Sequence, residues 1–112
     1  MSKFAIFAFR GEPMCFAHAL LNALDLSAKG HDVKLVLEGE AVKLVKTLTE
    51  SGDPLFLKAR EGGLIDGVCR ACSHKMGVLE YNEASGLRLL SDMSGHPSFS
   101  GYVADGYQII TM

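Results

Sequence analysis

The sequence predicts a single α/β domain over residues 1–112, a doubly wound, mostly parallel five-stranded sheet with helices on both faces. Three observations support this fold class. Strand-like and helix-like segments alternate along the chain, which is typical of parallel strand pairing. Apolar residues make up 48% of the sequence and charged residues 21%, an ordinary globular composition. The length suits one domain.

The first half of the chain contains two strand patterns and three helix patterns. An apolar run over residues 3–9 suits a central strand. Apolar residues recur at helical spacing over 14–29, and Gly30 is a natural stop. Residues 32–38 alternate and then become apolar, so they predict the second strand. Helices are predicted over 40–50 and 54–61, on either side of a turn that contains Gly52 and Pro54.

The second half continues the alternation with shorter elements. A third strand over 64–68 leads directly into a Cys-x-x-Cys motif, and a helix is predicted over 71–84. Gly77 weakens that helix by about 1 kcal/mol relative to alanine. A fourth strand over 87–91, a loop and short helix within 94–104, and a final strand over 107–111 complete the pattern. In the common flavodoxin-like order, 2-1-3-4-5, strands one and three would be neighbours.

Charge and hydropathy exclude several classes of function. The net charge is −2, and basic and acidic residues are interspersed without a basic stripe, which argues against binding to nucleic acid or a membrane surface. No apolar stretch approaches the roughly 20 residues that span a bilayer. The opening apolar run ends at Arg10, so we interpret it as a strand and not as a signal peptide. We therefore expect a cytoplasmic location.

The three cysteines are the main chemical feature of the sequence. An odd number argues against a secreted disulfide framework, and in a reducing compartment cysteines often serve as reactive thiols or metal ligands. Parallel sheets bind ligands at the carboxyl ends of their strands. Cys15 follows the first strand, and Cys69 and Cys72 follow the third. With strands one and three as neighbours, all three thiols would converge.

The position of the Cys-x-x-Cys motif predicts an activated thiol. Cys69 should lie at the start of a helix, where free N–H groups and the positive helix end stabilise a thiolate. Arg70 adds a positive charge nearby. We expect Cys69 to be the more exposed thiol and the nucleophile, with Cys72 as its resolving partner. This arrangement predicts a persulfide carrier or another thiol-transfer site.

Two other interpretations of the same residues remain open. Soft or borderline ligands could form a metal site, with zinc as the candidate ion, although a single Cys-x-x-Cys is a weak zinc signature. Alternatively, the cysteines simply pack a tight turn. The candidate ligands are Cys69, Cys72 and His74, with Cys15 or His18 as the fourth. His74 is also a candidate base, His18 a candidate for the lining of the site, and His96 a candidate for its rim.

Several segments, spread over nearly the whole chain, carry a family resemblance. They are the opening strand, ALDLSAKGHDVK at 23–34, EGEAV at 38–42, GVCRAC at 67–72 and DGYQIIT at 105–111. At these residues the sequence resembles the DsrE/DsrF-like family, which includes the TusD-type sulfur-relay subunits. The spacing from Cys69 to Gly77 is similar to the family's active-cysteine helix. The resemblance implies a sulfur-accepting role for Cys69 alone.

The resemblance also implies a biological setting. Family members are similar in having a doubly wound fold and in assembling as trimers or hexamers. Some pass persulfide sulfur between donor and acceptor proteins, in tRNA thiolation or dissimilatory sulfur metabolism. For a sulfur carrier of this kind we expect no cofactor. The relay subunits do not need Cys15 or Cys72, so a second thiol leaves open a disulfide or metal function. The alternatives are a non-catalytic, oligomeric metal- or small-ligand-binding protein, and an assembling subunit whose partner supplies the chemistry.

Overall fold

Five parallel strands and six α-helices alternate along the chain in the computed structural model, which describes residues 1–112. The strands are β1 (Lys3–Ala8), β2 (Asp32–Leu37), β3 (Ile65–Cys69), β4 (Leu89–Leu90) and β5 (Gln108–Thr111). The helices are α1 (Pro13–Ala28), α2 (Leu44–Ser51), α3 (Pro54–Glu61), α4 (Arg70–Lys75), α5 (Leu79–Ala84) and α6 (Phe99–Ala104), and a 3-10 helix, Gly39–Lys43, precedes α2. The predicted α/β class and five-stranded parallel sheet are confirmed.

The order of the strands differs from the flavodoxin-like order, and that part of the prediction is wrong. The observed order is β4-β3-β2-β1-β5. Strands β2, β3 and β4 each lie beside the strand that precedes them in the chain. Only β5 lies on the other side of β1. Consequently β2 lies between β1 and β3, and neighbouring strands are about 4.8 Å apart. Cys15, which follows β1, therefore lacks the adjacency to Cys69 on which the predicted convergence of three thiols depended.

Helices cover both faces of the sheet, but unequally. The larger core joins inward-facing residues of the strands, such as Ile6 and Leu35, to buried residues of α1, α2 and α3. The smaller core forms on the opposite face, where Phe7 and Val36 are buried. There α6 packs onto the sheet through Phe99, whose ring centroid lies 4.6 Å from that of Phe7 at an edge-to-face angle. Five of the six α-helices thus share one face, and α6 covers the other.

The longest helix, α1, shows how local signals and burial cooperate. Glu12 caps it by accepting hydrogen bonds from the N–H groups of Met14 and Cys15, and Pro13 occupies its first turn. Its buried side chains recur at helical spacing: Phe16, Ala19, Leu20 and Ala23. The other side chains of α1 are partly or fully exposed, so the helix is amphipathic. No helix in the protein combines the length and apolar character required to cross a bilayer.

The segment predicted as one helix over 71–84 is two short helices. Helix α4 ends at Lys75, and α5 begins at Leu79. Gly77 between them has a φ of +74°, the left-handed conformation that ends a helix and that glycine adopts without a steric penalty. The predicted helix over 40–50 likewise begins as the 3-10 helix before continuing as α2. The short α4 directs the chain back over the larger core immediately after the Cys-x-x-Cys motif.

Candidate functional site

Four side chains with metal-ligating atoms meet at the carboxyl end of the sheet. Glu38 directly follows β2, Cys69 ends β3, Cys72 lies in the first turn of α4, and His96 lies in the loop between β4 and α6. One ligating atom from each residue lies within 4.8 Å of all the others. This edge is where open parallel sheets generally bind their ligands.

The imidazole nitrogen Nδ1 of His96 is at the centre of this cluster. It lies 3.1 Å from Cys69 Sγ, 3.7 Å from Cys72 Sγ and 3.9 Å from Glu38 Oε1. Zinc bonds to such ligands are about 2.0–2.3 Å long, so tetrahedral coordination separates neighbouring ligand atoms by about 3.3–3.8 Å. The three distances to His96 Nδ1 lie close to that range, and all four ligating atoms lie within 4.8 Å of one another.

Local structure positions the two thiols. Cys69 is the N-cap of α4, and its Sγ accepts a hydrogen bond from the N–H of Cys72 at 3.4 Å. The expectation that Cys69 begins a helix and that Cys72 lies in its first turn is confirmed. The three-residue spacing places both sulfur atoms on the same side of that turn.

A tight turn brings His96 to the thiols. Met93 and His96 exchange two backbone hydrogen bonds, of 2.7 and 2.9 Å. Within this turn, Gly95 has a φ of +89°, and its carbonyl accepts a hydrogen bond from the N–H of Ala71 at 2.8 Å. A Cβ on Gly95 would lie 3.0 Å from the Cβ of Ala71, so a larger residue there would push the turn away from α4. The glycine therefore lets the His96 turn pack directly on the Cys-x-x-Cys helix.

Burial reverses the expected exposure of the two thiols. Cys69 has no exposed surface, whereas Cys72 is partly exposed, so the prediction that Cys69 is the more exposed thiol is wrong. The physical reason is that Cys69 ends a buried strand and is covered by the turn that contains Gly95, whose carbonyl lies 3.8 Å from its sulfur. Solvent reaches the motif through Cys72 and through His96, whose side chain is 41% exposed.

Burial raises the pKa of both acidic groups in the cluster, the Cys69 thiol and the Glu38 carboxyl. The pKa of the Cys69 thiol is raised to about 12, chiefly by burial; the hydrogen bond from the Cys72 N–H opposes the rise, and the Cys72 side chain and the charge of Glu38 add to it. Burial also raises the pKa of Glu38, and the charge of His96 opposes that rise. The helix start therefore does not overcome desolvation at Cys69. A positive ion between these groups would favour their ionised forms.

The other predicted site residues lie outside the cluster. Cys15 lies in the first turn of α1, where its N–H donates to the Glu12 carboxylate at 3.0 Å. His18, Arg70 and His74 are exposed. His74 is two residues beyond Cys72, and because successive helical residues are rotated by about 100°, its side chain points away from the thiols. The predicted alternative ligand set thus keeps Cys69 and Cys72, while Glu38 and His96 take the places of Cys15 and His74.

Two members of the cluster were not assigned a chemical role from the sequence. Glu38 is the last residue of the second predicted strand, and Cys69 directly follows the third, so the strand-end rule could have identified Glu38 too. For His96 the sequence predicts only a position at the rim of the site. Its loop follows the fourth strand, and the same rule favours its presence at this edge. No local pattern links either residue to the cysteines, because they are 31 and 27 residues from Cys69 in the sequence.

Two buried polar side chains, Ser73 and Asn82, form a hydrogen-bond network next to the cluster. Ser73 Oγ donates to the carbonyl of Cys69 at 2.7 Å. Asn82 Nδ2 donates both to Ser73 Oγ, at 2.9 Å, and to the carbonyl of Val42, at 3.1 Å. Both side chains are fully buried. Asn82, in α5, therefore ties the helix that carries the cysteines to the 3-10 helix that follows Glu38.

Replacing Asn82 with alanine is expected to lower the free energy of unfolding by about 1–3 kcal/mol, because two buried hydrogen-bond partners lose their donor. Urea denaturation measures this change. The matched control is Asn22→Ala, which removes a hydrogen bond from the exposed Asn22 to the carbonyl of His18 and should cost less than about 0.5 kcal/mol. Equal losses in the two variants would contradict a structural role for the network.

Comparison with known proteins identifies archaeal relatives. The chain is 40% identical to "Uncharacterized protein MJ0733" of Methanocaldococcus jannaschii over 98 residues, which cover 85% of this chain and 78% of that protein. The chain belongs to the family of this protein. A second relative, an "Uncharacterized protein" of Archaeoglobus fulgidus, is 44% identical over 39 residues, which cover 35% of this chain and 64% of the relative. No family model and no solved structure matches the chain, so the resemblance to DsrE/DsrF-like proteins stays a prediction.

Proposed function

We propose that this protein binds a divalent transition-metal ion of the zinc class through Cys69, Cys72, His96 and Glu38. The observation that supports the proposal is the convergence of four ligating atoms within 4.8 Å of one another. Thiolate, imidazole and carboxylate together suit zinc or ferrous iron, whereas magnesium and calcium prefer sites made only of oxygen. Histidine would coordinate through Nδ1, the atom that faces the other three ligands.

The charge distribution around the cluster favours the same conclusion. Glu38 is 7% exposed, and His96 is its only partner within ion-pair distance, at 3.9 Å. No lysine or arginine forms an ion pair with it. A buried carboxylate and a buried thiol at the same place would carry uncompensated negative charge once ionised. A divalent cation supplies the missing charge and uses both groups as ligands.

Metal analysis tests the proposal. Protein purified under reducing conditions without added metal is expected to contain zinc or iron in a one-to-one ratio, measured by elemental analysis. The metal-free protein should then bind one equivalent of Co²⁺ and develop thiolate-to-cobalt charge-transfer absorption, which one equivalent of Zn²⁺ abolishes. A lack of stoichiometric metal, together with a lack of charge-transfer absorption, would overturn the proposal.

A sulfur carrier is the second candidate function, and the partial exposure of Cys72 favours it. Cys72 could accept a sulfane sulfur from a donor protein as a persulfide. After its proton passes to His96 Nδ1, 3.1 Å away, Cys69 would attack the Cys72 sulfur, form a Cys69–Cys72 disulfide and release hydrosulfide to an acceptor. The exposure of the two thiols moves the accepting role to Cys72 from Cys69, to which the family resemblance assigned it. In this reading the protein is a sulfurtransferase-like homo-oligomer, a trimer or hexamer, in the cytoplasm.

The two functions predict different products from the metal-free, reduced protein. After incubation with a polysulfide donor, the peptide that contains Cys69 and Cys72 would show the mass of one added sulfur atom or, once Cys69 has released it, that of the Cys69–Cys72 disulfide. The added sulfur should persist in a Cys69→Ser variant and disappear in a Cys72→Ser variant. Sulfur on the Cys72→Ser variant would contradict the assignment to Cys72. Unmodified peptide in a protein that binds cobalt would support the metal-binding function alone.

A further inference from the structure

A cavity adjoins the four-residue cluster on its outer side. It has a volume of about 400 Å³, within the range of small-molecule sites. Glu38 and His96 form part of its wall, whereas neither cysteine does. Phe9, Met93 and Phe99 contribute its apolar surface. A molecule in this cavity would therefore lie directly beside two of the four proposed metal ligands.

The lining indicates the chemistry of the occupant. Seven large apolar side chains are substantially exposed in the whole protein, and three of them line this cavity: Phe9, Met93 and Phe99. Such clustering of exposed apolar surface is typical of a binding site. The lining contains no lysine or arginine, and its only acidic side chain is that of Glu38. Anionic ligands such as phosphates and carboxylates would meet no compensating charge there, so the cavity favours a neutral, apolar molecule.

Glu38 is the most exchangeable of the four ligands. Its Oε1 is 3.9 Å from His96 Nδ1, farther than the sulfur atoms of Cys69 and Cys72, at 3.1 and 3.7 Å. No hydrogen bond from another side chain holds its carboxylate in place, and that carboxylate is part of the cavity wall. Zinc sites that react with ligands keep three protein ligands and leave the fourth position to water or substrate.

We infer that the cavity binds a small apolar thiol whose sulfur coordinates the bound metal in place of Glu38. The inference rests on the proposed metal site. The thiol enters the cavity uncharged, binds as its thiolate, and passes its proton to the displaced carboxylate of Glu38, which is part of the cavity wall. One metal–sulfur bond forms, one metal–oxygen bond to Glu38 breaks, and no atom changes its oxidation state. A soft sulfur donor is favoured because ions that accept two protein thiolates also accept a third.

Spectroscopic titration of the cobalt-loaded protein tests this inference. Addition of 2-phenylethanethiol is expected to increase the thiolate-to-cobalt absorption saturably, with one molecule bound per cobalt. It should bind about tenfold more tightly than 2-mercaptoethanol, because the phenyl group is buried in the cavity. The alcohol of the same shape, 2-phenylethanol, should produce no increase in charge-transfer absorption, since it adds no sulfur to the metal.

Two matched methionine variants locate the binding site. Met93→Ala removes an exposed side chain that lines the cavity and should weaken binding of 2-phenylethanethiol by about three- to tenfold. Met14→Ala removes an exposed side chain outside the cavity and should leave the affinity unchanged. Charge-transfer absorption recorded before the thiol is added shows whether each variant retains its metal site.

The outcomes separate the two proposals. If the protein shows no charge-transfer absorption before thiol is added, the metal site itself is refuted, and the thiol site with it. If cobalt is bound but the spectrum does not respond to the thiol, only the thiol site is refuted. Equal affinity for the apolar and the polar thiol, equal effects of the two methionine variants, or removal of cobalt by the thiol would also overturn it.

Discussion

Replacing Cys69 with serine is expected to weaken binding of zinc or cobalt by more than about a hundredfold, because even an outer-shell partner of a ligand is worth 10–100-fold in metal affinity. Serine is nearly isosteric, but its hydroxyl keeps its proton at neutral pH and does not supply the anionic sulfur that the ion needs. The buried position of Cys69, at the end of β3 and 3.1 Å from His96 Nδ1, leaves no nearby group to replace it.

The third cysteine supplies the matched control. Cys15→Ser makes the same chemical change in α1, outside the four-residue cluster, and should leave metal affinity unchanged. Competition against a chromophoric chelator, at fixed pH and with reductant present, measures the affinity of both variants. Tight binding by Cys69→Ser, or an equal loss in Cys15→Ser, would show that the metal is held elsewhere.

Metal binding is also expected to stabilise the fold strongly. At a free zinc concentration a thousand times the dissociation constant, the free energy of unfolding should rise by about 4 kcal/mol. The reason is that the four ligands come from three separate parts of the chain, which are brought together only in the folded protein. Urea denaturation with and without zinc measures the gain. A strong chelator should reverse it, and Cys69→Ser should show little of it.

The gain in unfolding free energy that zinc provides should decrease as the pH is lowered. The pKa of Cys69 in the metal-free protein is raised to about 12, so zinc must displace a proton from this thiol at neutral pH. Each displaced proton changes the apparent dissociation constant by about tenfold per pH unit, and the affinity therefore falls as the pH is lowered. At a fixed zinc concentration, the gain in unfolding free energy should shrink on acidification. A gain that is constant or grows at lower pH would contradict coordination by the thiol.

For helices and strands with local start and stop signals, the sequence predicts the first and last residues to within one or two positions. Helix α3 spans the predicted residues because Asp53 accepts a hydrogen bond from the N–H of Phe56 and Pro54 occupies the first turn. These signals act within one turn of helix, so the sequence reveals them directly. The sequence does not predict the break at Gly77, because a single glycine is tolerated in many helices. Packing of α4 and α5 on the core decided it here.

What the sequence by itself determined is the alternation of strands and helices and the position of the two thiols at the start of a helix. Both follow from residues within a few positions of one another. The tertiary structure alone decided that Glu38 and His96 join Cys69, because that meeting depends on the order of the strands. Strand order is determined by many weak apolar contacts between residues far apart in the sequence, so it cannot be predicted from any short segment. The burial of Cys69 has the same origin, since a turn 26 residues away covers its sulfur.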